Sequence, residues 1–286
     1  MSAAIQNAKR IAFQGEPGAY ANLAAREAVP HAAAIPKPTF EDAIEAAKSG
    51  DTDLVIIPVE NSLIGRIADI HHLLPDSGLH IVGEHFLPIR HQLLGLKGAT
   101  LGDIKSVYSQ APALAQCRNV LREHKLTAHN WYDTAGSAKH VAELGDKSVA
   151  AIASTLAAEF YGLDVLKADV EDEHHNATRF LIMSRDATPA PNRGKVVTTF
   201  VFQVKNVPAA LYKALGAFAT NGVNMTKLES YQMGGSFNAT RFYADIQGHP
   251  DAPNVAAALK ELEFQTASLK IMGVYPAHPF REDMPD

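Results

Sequence analysis

The chain has 286 residues, 47% hydrophobic and 20% charged, which excludes a disordered, collagen-like or coiled-coil chain and supplies apolar material for a sizeable core. Its 26 basic and 31 acidic residues leave a formal net charge of -5, so no global positive field exists to gather nucleic acid or an anionic membrane. A single cysteine, Cys117, makes neither an internal disulfide nor a cysteine metal site, and the N-terminal stretch lacks an apolar signal region, so a reducing, cytoplasmic setting is expected.

In chain order, the apolar run Ile11 to Phe13 predicts a buried strand, Gly15-Glu16-Pro17-Gly18 a turn, and the helix formers of Ala19 to Val29 a helix. A helix over Phe40 to Ser49, an apolar strand over Leu54 to Val59 and a helix over Ile67 to Leu74 repeat the alternation, with a Glu-Asn-Ser loop before the last. Strands are expected at Leu79 to Pro88, Gln92 to Leu96, Ser106 to Ser109 and Val149 to Ile152, and helices at Ala113 to Glu123 and Ala135 to Leu144. Such alternation predicts an α/β fold. After Ser184, residues 185–195 carry two prolines, a glycine and charges without apolar period, the signature of a linker. Beyond it come a strand over Val196 to Val204 and a helix over Ala209 to Thr220. Strands over Val223 to Gln232 and Phe237 to Ile246 flank Gly234-Gly235, and a helix over Asn254 to Leu262 and a strand over Ser268 to Tyr275 follow. That βαββαβ order is the split-βαβ, ferredoxin-like unit.

Two stretches carry candidate chemistry. Pro58-Val59-Glu60-Asn61-Ser62 ends the apolar strand, ahead of Gly65 and a helix. Ligands of open α/β sheets bind where strands end, free N–H groups at a helix start favour an anion, and Asn61 and Ser62 add compact donors. The same residues also suit an ordinary helix cap. In Asn176-Ala177-Thr178-Arg179-Phe180-Leu181-Ile182, strand alternation puts Asn176 and Thr178 on one face and Arg179 on the other, although this too fits an ordinary strand start. The Gly15–Gly18 turn lacks dinucleotide and P-loop spacing, His71-His72 and His174-His175 lack metal-ligand spacing, and no Gly-x-Ser-x-Gly occurs. Neither a metal nor an organic cofactor is expected.

In this order the motifs resemble the prephenate dehydratase family over nearly the whole chain. The resemblance rests on Pro58-Val59-Glu60-Asn61-Ser62-x-x-Gly65, Tyr161-Gly162-Leu163, Asn176-x-Thr178-Arg179-Phe180, and the stretch from Leu211-Tyr212-Lys213 to Leu228-Glu229-Ser230. It implies conversion of prephenate to phenylpyruvate, water and carbon dioxide on the route to phenylalanine. Thr178 is then the catalytic residue, and Glu60, Asn61, Ser62, Gly65, Asn176, Arg179 and Phe180 bind substrate. Residues 8–185 are expected to form a catalytic region of two α/β lobes around a cleft, similar to type II periplasmic binding proteins. Residues 186–195 become a linker and 196–278 an ACT domain, the ferredoxin-like module that binds amino-acid effectors. There Ala209, Ala210, Leu211, Asn224, Glu229 and Ser230 are expected to bind phenylalanine, and the module to pair chains into a homodimer or homotetramer. Because the chain opens on the first catalytic strand, with no room for a fused chorismate mutase, a monofunctional enzyme is expected.

The chain departs from the family pattern at Gly18-Ala19-Tyr20-Ala21 (often Gly-Thr-Phe-Ser), His72 (aspartate) and Ser109-Gln110-Ala111-Pro112 (Ser-His-Pro-Gln). In the tail, Ala209 replaces glycine and Tyr231-Gln232 replaces Arg-Pro. Two other readings stay open: an arogenate dehydratase acting on the amino analogue, and a non-catalytic amino-acid sensor.

Overall fold

A short helix, α1 (Ala3–Asn7), precedes the buried strand β1 (Arg10–Gln14) in the computed structural model, which describes residues 2–67, 70–232 and 239–282. The first lobe continues through α2 (Tyr20–Ala28), β2 (Ala33–Lys37), α3 (Phe40–Ser49), β3 (Leu54–Asn61), β4 (Gly65–Arg66), α4 (Ile70–Leu73) and β5 (His80–Pro88). Helix α3 forms where its sequence asks. Thr39 caps the Asp42 N–H, Glu41 and Asp42 occupy the positive end, and Lys48 lies at the negative end before a left-handed Gly50.

The second lobe comprises β6 (Gln92–Gly95), β7 (Ser106–Ser109), α5 (Ala111–Ala115), α6 (Arg118–Glu123), β8 (Thr127–Asn130), α7 (Thr134–Leu144), β9 (Val149–Ala153), α8 (Thr155–Tyr161) and β10 (Asp164–Lys167). Its sheet has the order β10-β6-β9-β7-β8. The chain then returns to the first lobe as β11 (Ala177–Ser184), antiparallel between β3 and β5. The two crossovers between lobes lie side by side: the Ile89 N–H donates to the Asn176 carbonyl and the Val170 N–H to the His91 carbonyl, each at 2.8 Å. The lobes also touch where Tyr161 donates to the Pro17 carbonyl at 2.9 Å. Beside that contact, a side chain at Gly18 would run into the Ala157 backbone.

β12 (Val196–Val204), α9 (Ala210–Thr220), β13 (Met225–Gln232), β14 (Ala239–Gln247), α10 (Pro253–Gln265) and β15 (Thr266–Pro276) form a βαββαβ unit with sheet order β13-β14-β12-β15. Strand β15 pairs in parallel with β5 at Gly273 and Ile81, so this sheet and that of the first lobe are one ten-stranded sheet. Gly273 permits the junction, because a Cβ there would collide with the Ile81 carbonyl oxygen. Val197, Val201, Tyr243, Met272 and Tyr275 accordingly share one apolar core with Val55, Ile57, Leu181 and Met183.

The expected helix over Ala113 to Glu123 is in fact two. Gln116 closes α5, and the Asp172 carboxylate accepts the Arg118 and Asn119 N–H groups that open α6. Of the helix expected over Ile67 to Leu74, α4 forms and runs into a 3-10 turn at Leu74–Asp76, while Ala68 and Asp69 lie outside the described residues. Gly234, Gly235 and Phe237 of the expected hairpin also lie outside them. Helix α9 starts one residue late because Ala209 sits at φ 61°, in the left-handed region where the family pattern has glycine. A side chain there costs about 1 kcal/mol or more. Ala209→Gly is therefore expected to stabilise the chain by up to about 1 kcal/mol in urea unfolding. A lowered midpoint would show that the left-handed turn is not kept in solution.

Candidate active site

Pairing of β11 with β3 sets Thr178 opposite Asn61 and Arg179 opposite Glu60. Alternation then turns Asn61 and Thr178 into the cleft between the lobes and Glu60 and Arg179 to the far side. The cleft encloses about 420 Å³. Pro58, Ile64, Ile89 and Phe180 line it from the first lobe and Pro112 and Ala113 from the second, with the polar groups of Gln14, Gln110 and Gln116 between.

A chain of side-chain hydrogen bonds runs behind Thr178. Asn61 Nδ2 donates to Asn176 Oδ1 at 2.7 Å and to Thr178 Oγ1 at 3.0 Å. Its Oδ1 accepts the backbone N–H groups of Leu63 and Ile64 at 3.0 and 3.1 Å, which decides which end of the amide is nitrogen. The polarity propagates. Asn176 Nδ2 donates to Gln116 Oε1 at 2.9 Å, and that same oxygen faces His91 Nε2 at 3.0 Å. Nε2 must therefore carry the imidazole proton, leaving Nδ1 to accept from the Tyr20 hydroxyl at 2.7 Å. Burial lowers the His91 pKa from its ordinary 6.5 and, with help from Cys117 and Glu171, raises that of Tyr20 well above 10, so both stay neutral near pH 7. At the far end Thr178 Oγ1 accepts from Asn61, so its own proton is free for a partner in the cleft.

Other expected site residues fall elsewhere. Phe180 lines the cleft, and Asn176 is buried behind it. Ser62 Oγ donates to the His175 carbonyl and accepts the Ala177 N–H, pinning the loop to the start of β11. Gly65 turns the chain back into β4 at φ 85°. The anion site expected at a helix start after Ser62 is not there: a turn and β4 follow, and the Leu63 and Ile64 amides are consumed by Asn61.

Glu60 and Arg179 do not reach the cleft, which corrects their expected contact with substrate. The buried Arg179 guanidinium donates to Glu84 at 2.9 Å, Glu60 at 2.8 Å, Asp245 at 2.6 Å and the Tyr275 hydroxyl at 2.9 Å. Glu60 also pairs with Lys227, and Glu84 with Arg281 at 2.6 Å. Burial alone would raise the Glu60 pKa, but Arg179 and Lys227 outweigh it and hold the carboxyl near 2, against an ordinary 4.5. The cluster ties β3, β5 and β11 to β13, β14 and β15.

The expected effector residues are engaged separately. Ala210 and Leu211 pack on the core of the C-terminal unit, and Asn224 Nδ2 donates to Gln247 at 3.2 Å. Glu229 lies 3.4 Å from Lys227, and the Ser230 carbonyl accepts from Arg66 at 3.0 Å. Tyr20, His91, Gln116 and Arg66 escaped the sequence reading. One signal was available, the polar pair His91-Gln92 between the apolar Ile89 and Leu93-Leu94.

A hydroxyl held by an asparagine beside an apolar-walled cleft defines a site for positioning a small organic substrate, and relatives identify its class. The sequence profile of prephenate dehydratase matches residues 11–188. A bifunctional N-acyl-homoserine lactone acylase/prephenate dehydratase from Komagataeibacter europaeus is 51% identical over 272 residues, 95% of this chain and 97% of that one. The chloroplastic arogenate dehydratase/prephenate dehydratase 2 of Arabidopsis thaliana is 38% identical over 277 residues, 93% of this chain and 72% of that one. The crystal structure of prephenate dehydratase in complex with L-Phe from Arthrobacter aurescens aligns at a TM-score of 0.87 and 30% identity, covering 97% of this chain and 92% of that one. The chain belongs to the prephenate dehydratase family of carbon–oxygen lyases and has that family's mixed α/β fold.

Proposed function

We propose that this chain converts prephenate to phenylpyruvate, with Thr178 as the donor to the departing ring hydroxyl. The observation that carries this reading is the Asn61 bond into Thr178 Oγ1 beside the cleft, which makes the oxygen an acceptor there and leaves the threonine proton for another partner. In the reaction the bond from ring to carboxylate breaks, its electron pair enters the ring, and the C–O bond across the ring breaks as oxygen leaves with a proton. Carbon dioxide and the ring hydroxyl depart, the hydroxyl taking one proton from solvent to become water, and the ring becomes aromatic. A threonine is too weak an acid to be ionised near neutrality, so its contribution is a fixed hydrogen bond that strengthens as charge grows on the leaving oxygen. Asn61 aids this by stabilising negative charge that shifts onto Oγ1. Pro58, Ile89 and Phe180 offer the ring an apolar wall. The test is steady-state turnover by the purified chain of prephenate, read as phenylpyruvate, and of arogenate, read as phenylalanine. A higher kcat/KM on prephenate is expected, and the reverse order would reassign the substrate.

The acylase activity in the name of the Komagataeibacter relative finds no separate support. Among the described residues the cleft lining contains no serine or cysteine, and Cys117 is buried with its thiol pKa pushed up by burial, then by Asp172 and Glu171.

For the C-terminal unit the reading is an ACT domain that binds phenylalanine and pairs chains into a homodimer or larger homo-oligomer in the cytoplasm. Its βαββαβ order, the open sheet edge at β13, and exposed Tyr212 and Phe264 on its two helices support this. Light scattering is expected to give at least twice the 30.8 kDa chain mass, and calorimetry to detect phenylalanine binding. A 30.8 kDa species alone at micromolar concentration would remove the oligomer, and a flat titration to millimolar phenylalanine the effector.

A further inference from the structure

Prephenate brings two carboxylates, and the helix start that can meet an anion lies on the second lobe. Helix α7 begins at Thr134 in the wall of the cleft, with Asp133 as its N-cap. Thr134 is only 3% exposed, yet its hydroxyl has no partner among the described residues. Nor is that oxygen sealed in the core, so it opens onto the cleft that the residue lines. The N–H groups of Thr134 and Ala135, the first two of the helix, also find no acceptor among those residues. The third is taken, because Asp133 Oδ1 accepts the Gly136 N–H at 2.6 Å. Both Asp133 oxygens lie within 3.3 Å of the place a Gly136 Cβ would fill. The carboxylate is therefore folded against the third residue and leaves the first two amides free. Arg66, the one lysine or arginine among the described lining residues, is turned instead to Ser230 and Glu229 of the C-terminal unit, at 3.0 and 3.8 Å.

We propose that the start of α7 is the subsite for the side-chain carboxylate of the substrate, with the Thr134 hydroxyl and the Thr134 and Ala135 N–H groups as its donors. The role rests on the prephenate dehydratase reading. A helix start supplies partial positive charge along with its free amides, and the buried hydroxyl beside them completes the set. In prephenate the departing hydroxyl and the side chain sit on opposite carbons of the ring. With the hydroxyl at Thr178 on the first lobe, the side chain is carried toward the second lobe, where α7 lies. The ring carboxylate is the wrong partner. It leaves as neutral carbon dioxide, so donors fixed on it would stabilise a charge the transition state must lose. The side-chain carboxylate keeps its charge from start to finish. An interaction equal in ground and transition states alters substrate binding and leaves turnover alone.

Steady-state kinetics on prephenate, with circular dichroism as a folding control, tests this with Thr134→Val, Thr134→Ser and Thr134→Pro. Thr134→Val removes the hydroxyl alone and is expected to raise KM about 5- to 50-fold with kcat within a few-fold of the parent. Thr134→Ser, which restores a hydroxyl, should recover part of the loss. Thr134→Pro removes the hydroxyl and one amide, and its KM should rise at least as far as that of Thr134→Val. Proline suits the first position of a helix, and Asp133 before it is already extended, at φ -152° and ψ 172°, as proline requires. A parent chain inactive on prephenate and arogenate would overturn the function together with this subsite. An active parent overturns the subsite alone if KM in Thr134→Val and Thr134→Pro stays within about two-fold, or if kcat falls while KM holds. Should one of the two not fold, the other decides by the same limits.

Discussion

Thr178→Val is expected to lower turnover of prephenate by roughly 10²–10³-fold, about 3–4 kcal/mol, the effect of deleting one preorganised transition-state donor. Valine keeps the β-branched shape in β11, and Asn61 Nδ2 keeps its second acceptor, Asn176 Oδ1, so stability should change little. KM should shift much less than kcat, because the lost bond strengthens mainly as the oxygen departs. Thr178→Ser restores a hydroxyl with more rotamer freedom and should recover part of the rate. A folded Thr178→Val enzyme working within a few-fold of the parent would take Thr178 out of the mechanism.

Arg179→Met is expected to act on the fold. It takes from buried Asp245 its 2.6 Å partner and leaves Glu84 with Arg281 alone, and removing one partner of a buried pair costs about 3–5 kcal/mol. That is a large fraction of an ordinary domain's stability. Urea unfolding followed by circular dichroism should show a lowered midpoint or a chain already unfolded in buffer. An unchanged midpoint with raised KM would return Arg179 to the substrate. The same cluster sets an acid limit. The Glu60 carboxyl has a folded-state pKa of about 2 against 4.5 unfolded, so its contribution is fully present above pH 4.5 and disappears as pH falls toward 2. Glu84 is shifted in the same direction: burial opposes its charge, and Arg281 and Arg179 outweigh the burial. Stability of the parent should therefore fall over that window, and any Arg179→Met chain that folds should show a shallower fall.

Much of the frame was legible in the sequence because it is written in short range. The apolar run of β3, the caps of α3 and the βαββαβ order each depend on residues a few positions apart. Strand β8 was not, since Thr127, Ala128, His129 and Asn130 are all exposed and show no apolar period. The break at Gln116-Cys117 was hidden because the carboxylate that opens α6, Asp172, is 54 residues from Arg118. Half of the site was legible for the same reason. Asn61 and Thr178 stand in compact motifs, whereas Tyr20, His91 and Gln116 come from three separate elements and meet only through the fold. The alternation that set Arg179 on the opposite face from Thr178 was already in the sequence. Its three carboxylates were not, because two of them lie on β5 and β14, far away in the chain.

The continuous sheet decides which part of this molecule can swing. The C-terminal unit and the first lobe are joined through backbone pairing, a common core and the Arg179 cluster, so they turn as one body. The second lobe is attached by two adjacent crossovers, and Gln116, which rides on it, reaches over the joint to Asn176 and His91 in those crossovers. A hinge rotation that widens the cleft must therefore part Tyr161 from the Pro17 carbonyl as well as strain these two bonds at the joint. The bond from Asn61 to Thr178, by contrast, joins two strands of the first body and is left in place by any such rotation, so the cleft can open to solvent without disturbing that pair.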